Sequence, residues 1–453
     1  MSARPAAPIT SASPIRFSDP LPGEVDVVVI GGGVIGIMSA LYLNRMGLSA
    51  FVIEKGRVAG EQSSRNWGWI RQLGRDEAEL PVMMEASRLW EEIDTETGNR
   101  TGFRRSGIMY LASTDTEMEA QARWLDVARR HQLDVRAIDG DAVAGLIDTG
   151  PGGKRWSGGV WSPTDARAEP WVAVPAVAEL AQSEGVGIRE NCAARTFEQA
   201  AGKIAGVHTE HGFIKAAQVV VAGGAWSSLL LRRHGVSIPQ LTVRSSVART
   251  AAMPEIFAGN ALDEQLAFRR REDGGYSVSA LGSHDLMIGP DAFRHFFTWL
   301  PVAVKSLGAT RFLPFSPRHY PDAWGTTRNW GKDEETPFER CRVLDPEPEH
   351  RRTGPTRKRF AARFPSLGEP ELLNVWAGMI DAMPDVVPVV DRVPGHDGLI
   401  VATGMSGHGF GIGPGFGRAI ANIAAGRPTG HDLTRFRFSR FTDGSKLVPG
   451  PSL

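Results

Sequence analysis

The 453-residue sequence has little cysteine, no net charge and no long hydrophobic run. Its two cysteines, Cys192 and Cys341, lie far apart and outside any C-x-x-C pair. That excludes a disulfide framework, argues against a structural zinc site and points to a reducing compartment. Lys plus Arg and Asp plus Glu number 51 each, so no global charge draws the chain to nucleic acid or to an anionic membrane. Residues 27–43 carry no charge and mimic a membrane span. Four glycines interrupt them, and they fall short of the about 20 apolar residues a span needs. Residues 1–24 are proline-rich and lack the apolar core of a secretion signal, so a flexible extension is expected there. The expectation is a cytoplasmic protein without an integral membrane segment or nucleic-acid partner. Its length allows two to four domains of ordinary size. No metal-ligand set and no Ser–His–Asp arrangement emerges.

A phosphate-binding pattern is present. Asp26-Val27-Val28-Val29-Ile30 reads as a buried parallel strand. It runs into Gly31-Gly32-Gly33-Val34-Ile35-Gly36, a G-x-G-x-x-G turn. Ile35, Met38, Leu41 and Tyr42 follow at helical spacing, and Gly47 closes the helix. Ala50-Phe51-Val52-Ile53 reads as a second strand ending at Glu54. Gly31 permits the tight turn, Gly33 lets a pyrophosphate approach the backbone, and Gly36 lets helix and strand pack closely. The helix start offers free N–H groups to the phosphates. Glu54 is placed to accept hydrogen bonds from ribose hydroxyls, and the acid points to an unphosphorylated ribose. Two further strand–turn–helix segments exist. One is Val219-Val220-Val221 with Ala222-Gly223-Gly224-Ala225-Trp226. The other is Leu399-Ile400-Val401-Ala402-Thr403-Gly404 with a turn rich in glycine from Met405 to Arg418.

With the loop Ser63-Ser64-Arg65-Asn66-Trp67-Gly68, the segment Gly159-Val160-Trp161-Ser162-Pro163 and the stretch Trp376-Ala377-Gly378, the chain resembles the D-amino-acid-oxidase-like family of FAD-dependent amine oxidoreductases. The resemblance implies an α/β fold. A Rossmann-like FAD-binding domain of the glutathione-reductase type would carry an inserted α+β substrate domain on a mainly antiparallel sheet. The FAD domain would comprise residues 25–98, 155–240 and 373–435, and the substrate domain residues 99–154 and 241–372. It further implies that Val34, Ile35, Lys55, Ala194, Ala222, Gly223, Trp226, Gly378, Gly404, Gly407, Gly409, Phe410 and Gly411 join the Gly31, Gly33, Gly36 and Glu54 set around FAD. The Ser63 to Gly68 loop would lie against its phosphates and ribityl chain, with Arg65 either there or in a surface ion pair. The loop has no His, and Gly378 stands where some relatives place a Cys that links the flavin, so FAD is expected to be noncovalent.

The implied reaction is oxidation of a C–N bond of a small amine or amino acid, hydride passing to flavin N5 and the imine hydrolysing. Relatives that oxidise amino acids commonly carry an arginine after Trp-x-Gly; here Met379, Ile380 and Asp381 stand there. Asp381 is either a contact for the substrate amine or a turn residue bonded to backbone. His408 lies in the terminal turn, either near the flavin and substrate or bonded to backbone. Phe268-Arg269-Arg270-Arg271 and Tyr276-Ser277-Val278-Ser279 flank a Glu272-Asp273-Gly274-Gly275 turn and read as a hairpin. Arg270 and Tyr276 are its candidates for a carboxylate clamp, with Arg271, Arg71 and Arg75 as rivals. The second strand lacks the lysine that sarcosine-oxidase-like members use with oxygen, which favours a dehydrogenase with another acceptor; the expected acceptor is oxygen or another carrier. Residues 311–342, rich in Pro, Arg and aromatics, are expected to be a lid or a partner-contacting loop. Rival readings are a flavin-binding subunit that needs a partner, a tRNA-modifying flavoprotein and a nicotinamide dehydrogenase.

Overall fold

The computed structural model describes residues 8–281, 284–305, 308 and 310–450. Five parallel strands form its centre, in the order Gly187–Arg189, Ala50–Ile53, Glu24–Ile30, Gly212–Val221 and Leu399–Thr403. Alternating side chains on a strand point to opposite faces, so a strand covered on both sides must be apolar throughout. Val27, Val29 and Val52 enter one core with the helices Val34–Arg45, Leu80–Glu96, Pro170–Ser183 and Gly409–Ala424. Val28, Ile30, Phe51 and Ile53 enter another with the antiparallel strands Ala194–Ala200 and Lys203–Thr209 and the helix Ser227–Arg233.

The terminal glycine-rich stretch is not a long turn. It is already helical from Gly409, with Pro414 inside, although glycine costs about 1 kcal/mol per helical position. Close packing explains the composition. A Cβ on Gly417 would lie 2.6 Å from the Met38 Cβ, and one on Gly413 2.8 Å from a Val34 methyl. Bare backbone lets this helix lie flat against the first.

A ten-stranded, mainly antiparallel sheet forms the second layer. Its long strand Leu241–Thr250 pairs with Leu372–Ala382 from Leu241 opposite Ala382 to Thr250 opposite Leu372. The expected hairpin is there, Leu266–Arg270 against Tyr276–Ala280. Two strands that sequence segmentation places with the flavin domain pair in this second sheet, Gly158–Ser162 and Leu372–Ala382. Two short helices, Asp115–Ala122 and Leu125–Arg130, flank that sheet, with Ala128 their buried member.

The N-terminal extension is not loose over its described part. Ile9 and Phe17 are buried. Ile9 N–H donates to Ser64 Oγ at 3.3 Å, and Arg57 Nε donates to the Ser13 carbonyl at 2.7 Å. Asp19 binds Gln182 and the Ile188 N–H. Apolar anchors and backbone pairing overrule the proline content.

Candidate active site

An elongated cleft of about 1460 Å³, its open mouth included, runs from the first strand–helix turn to the start of the terminal helix. Its near end is built from backbone. Gly31 has φ +117, and a Cβ there would lie 2.4 Å from the Ala222 carbonyl oxygen, so the turn tolerates no side chain. Gly36 packs against the same turn, where a Cβ would lie 1.9 Å from the Gly31 carbonyl oxygen. The Glu54 carboxylate accepts from Gly32 N–H and Gly56 N–H, each at 2.7 Å. Burial pushes its pKa up to about 7, against the pull of Lys55 and those two N–H donors. Each oxygen keeps a lone pair for a hydroxyl donor. Ser63 Oγ accepts from Val34 N–H at 2.9 Å at the helix start. Lys55 closes the side of the cleft. It donates to Glu61 at 2.6 Å and to the Cys341 carbonyl at 2.6 Å, and lies 4.4 Å from the Trp226 ring centroid. Trp226 donates its indole N–H to Glu61 as well.

The arginine loop contributes architecture. Arg65 lines the cleft but is buried and spent on protein. It donates to Asp345 at 2.6 Å, to the Ala377 carbonyl at 3.2 Å and to the Ile9 carbonyl at 3.1 Å. Asn66 bonds within its own loop, to the carbonyls of Gln62 and Ser63 and to Gly68 N–H. Ser63, Asn66 and Trp67 line the cleft; Ser64 and Gly68 lie behind it.

At the far end Gly378, Ile380, Ser245 and Val247 face Met405, Gly407, Gly409 and Phe410. Asp381 also reaches the cleft. Its carboxylate accepts from Gly404 N–H at 2.7 Å and from Met405 N–H and Thr403 Oγ1 at 3.3 Å. Its carbonyl accepts from Ser406 N–H at 2.9 Å, and Ser406 itself holds φ +49. Burial raises the Asp381 pKa to about 6. This carboxylate fixes the turn that opens the terminal helix.

The remaining predicted residues divide. Val34, Ile35, Ala194, Ala222 and Gly223 line the cleft. Gly36, Gly404 and Gly411 support it from behind; a Cβ on Gly411 would lie 2.9 Å from the Trp69 carbonyl oxygen. His408 is turned away from the cleft and buried beside Glu79 at 3.6 Å and Arg75. Burial pulls its pKa down to about 4, so it is neutral at physiological pH. Arg270 and Tyr276 do not join the cleft. Arg270 donates to the Met253 carbonyl and stacks over Tyr276 at 5.1 Å. The Tyr276 hydroxyl accepts from Ile256 N–H and donates to the Phe257 carbonyl, holding a loop in the second sheet's own core. Arg269 and Arg271, their neighbours, are buried on Glu169 and Asp273. Arg71 binds Tyr110 and the Leu73 carbonyl. Gln62, Ile380, Ser245 and Val247 line the cleft although no sequence motif marks them as flavin-facing. The alternation of Gly378 with Ile380 and of Ser245 with Val247 is a readable sign, but it needs the pairing of Ser245 with Gly378 to have meaning.

The residues fit FAD. A glycine-lined cradle, a carboxylate with spare acceptor capacity and an apolar far end lie along one cleft. The family model described as DAO, FAD dependent oxidoreductase, matches residues 26–423. The chain belongs to this FAD-dependent oxidoreductase family. As a member, it takes FAD as its cofactor. Among solved structures, this oxidoreductase is similar to the L-amino acid deaminase from Proteus myxofaciens in complex with anthranilate. The two share 27% identity, a TM-score of 0.90 and coverage of 96% of this chain and 97% of the other. N-methyl-L-tryptophan oxidase of Citrobacter koseri is 24% identical over 92% of this chain and 100% of its own length. Human mitochondrial sarcosine dehydrogenase is 26% identical over 51% of this chain. That match covers 26% of the longer protein, so the matched half of this chain spans about a quarter of that relative. Among the described residues no helix is long and apolar enough to cross a membrane.

Proposed function

We propose that this oxidoreductase oxidises the C–N bond of an amino acid or secondary amine with an apolar side chain, using noncovalently held FAD. The observation that carries the reading is the single cleft, with a backbone-built nucleotide end and an apolar end of Ile380, Val247, Met405 and Phe410. FAD, when bound, accepts the two electrons and the hydrogen released from the substrate carbon. Gly31, Gly33 and Glu54 would hold its nucleotide half, and Gly407 and Gly409 leave room for the ring system against bare backbone. The protein's part in the reaction is orientation and exclusion of water. Ile380, Val247 and Phe410 supply a dry surface for the substrate. Asp381 holds the Gly404–Met405 backbone in place. Among the described residues the cations facing the cleft are Lys55, Arg57 and Arg65. Each is engaged by protein acceptors, which favours a carboxylate held by neutral donors over an arginine clamp. The acceptor is oxygen or another carrier, and the setting is the cytoplasm.

Anaerobic mixing of the purified yellow protein with amino acids of both hands and with N-methyl amines tests this. Apolar amino acids or their N-methyl derivatives should bleach the flavin band. A flavin that no amine reduces would leave a binding subunit in place of an enzyme. Re-oxidation by air or only by a dye separates the two acceptor classes.

A further inference from the structure

The outward side of residues 290–305 and 310–324 is apolar and cationic at once. Helices Pro290–Arg294 and Phe296–Lys305 follow one another there. Trp299 turns inward, buried with Leu241 and Val243, and donates to the Pro239 carbonyl at 2.8 Å. The opposite stripe, Phe293, Phe297, Leu300 and Val304 at helical spacing, is exposed, Phe297 at 87%. Phe315 and Trp324 extend it, Trp324 packing on Phe293 at 5.7 Å between ring centroids. Eight of the fourteen exposed large hydrophobic side chains among the described residues fall between 293 and 324. Apolar exposure concentrated in this way marks a contact surface.

Positive charge predominates on this side. Between residues 290 and 324 the acids are Asp291, buried and paired with Arg232 and Arg294, and Asp322, half-buried and paired with Arg328 at 3.2 Å. Arg294, Lys305 and Arg318 are exposed. Arg311 bonds Glu349 at 2.9 Å, and Glu349 caps the helix His350–Arg363. That helix contains no acid and exposes Arg351, Arg357 and Lys358. The whole chain has zero formal charge, so this is segregation and not general basicity.

We propose that this face seats peripherally on an anionic lipid bilayer, with the Phe293–Phe297–Leu300–Val304 stripe and Trp324 among the acyl boundary and the cations at the headgroups. An interfacial helix needs this combination of aromatic and aliphatic side chains with lysine and arginine beside them. A second copy of the chain fits less well, because a symmetric contact would bring Arg294, Lys305 and Arg318 against their own kind. Nucleic acid would engage the cations and leave the aromatic stripe in water.

Flotation of the FAD-loaded full chain with vesicles tests the proposal. Binding is expected with mixed phosphatidylglycerol and phosphatidylcholine, falling about tenfold with phosphatidylcholine alone and weakening with salt. The double variant Phe297→Asp, Leu300→Asp should lose about tenfold in vesicle binding while keeping its flavin content and spectrum. Should that variant not fold, quenching by brominated lipid decides, since Trp324→Phe should reduce it. Absence of vesicle binding, equal binding to neutral vesicles, or no change in either variant overturns the proposal. So does a dimer in sedimentation velocity that Phe297→Asp dissolves, or RNA binding that the aspartates leave untouched.

Discussion

The two ends of the cleft are made of different material. The nucleotide end is mostly backbone, Gly31, Gly33 and Gly32 N–H, beside the Ser63, Lys55 and Glu61 side chains and the Glu54 carboxylate, whose two anchoring bonds come from Gly32 and Gly56, within a few residues of the turn and of the acid. The far end adds to bare backbone at Gly378, Gly407 and Gly409 side chains gathered from strands that begin at Leu241 and Leu372 and from the start of a helix at Gly409. A site made of backbone tolerates almost no substitution but asks little of the rest of the chain. A site made of side chains varies freely, and the same fold can serve many substrates there.

That contrast can be broken at four places. The largest effect is expected from Gly36→Ala, whose Cβ would meet the Gly31 carbonyl oxygen at 1.9 Å. Flavin per protein, read from its visible absorbance, should fall to near zero. Glu54→Gln should weaken FAD about tenfold, since it loses charge-assisted bonds of about 1.5 kcal/mol or more. The pH dependence sharpens this. With its pKa raised to about 7, Glu54 ionises more readily once hydroxyl donors arrive, so FAD affinity should climb from pH 6 to pH 8 by about that pKa and level off in Glu54→Gln. In the unliganded chain the sign is opposite. The unfolded carboxyl gives up its proton at lower pH than the folded one, so Glu54's contribution to stability falls as pH rises through about 7. Equal melting curves for the parent chain and the Glu54→Gln variant across that window would contradict it.

Next comes Asp381→Ala. It strips the Gly404 and Met405 N–H groups of their buried acceptor. A loss of about 2 kcal/mol is expected in denaturant unfolding, with FAD still bound. A rise in KM without a loss of stability would instead make Asp381 a substrate contact. Smallest is Arg270→Gln. Its contacts are the Met253 carbonyl, the Tyr276 ring and Glu255 at 3.7 Å, so KM should hold within about twofold while stability drops by about 1 kcal/mol. A large rise in KM would restore the clamp that the sequence invited.

What could be read in advance follows the same division. The shape of the first turn and the place of Glu54 beside it are legible because their contacts are local: neighbours in sequence are neighbours in space. Arg65 was legible as a position and not as a role, because its partners Asp345 and Ile9 lie in distant parts of the chain. Arg270 and Tyr276 looked like ligands because alternation gives a face without saying what covers it; the cover is the Phe360 and Phe364 core. His408 sits one residue from two cleft-lining glycines, yet helix geometry turns it to Glu79. The helical start at Gly409 was hidden by composition, since nothing local reveals that Met38 and Val34 need bare backbone opposite them.

The terminal helix also sets an order of synthesis. The first wall of the cleft, residues 24–54, leaves the ribosome early, but the helix that packs on Met38 is encoded beyond residue 408. Until residues 409–424 emerge, the nascent chain holds half a vessel for its coenzyme, without the helix that packs on Val34 and Met38. A chain cut before residue 409 should therefore be colourless, whereas one that includes the helix Gly409–Ala424 can take up flavin once that helix docks.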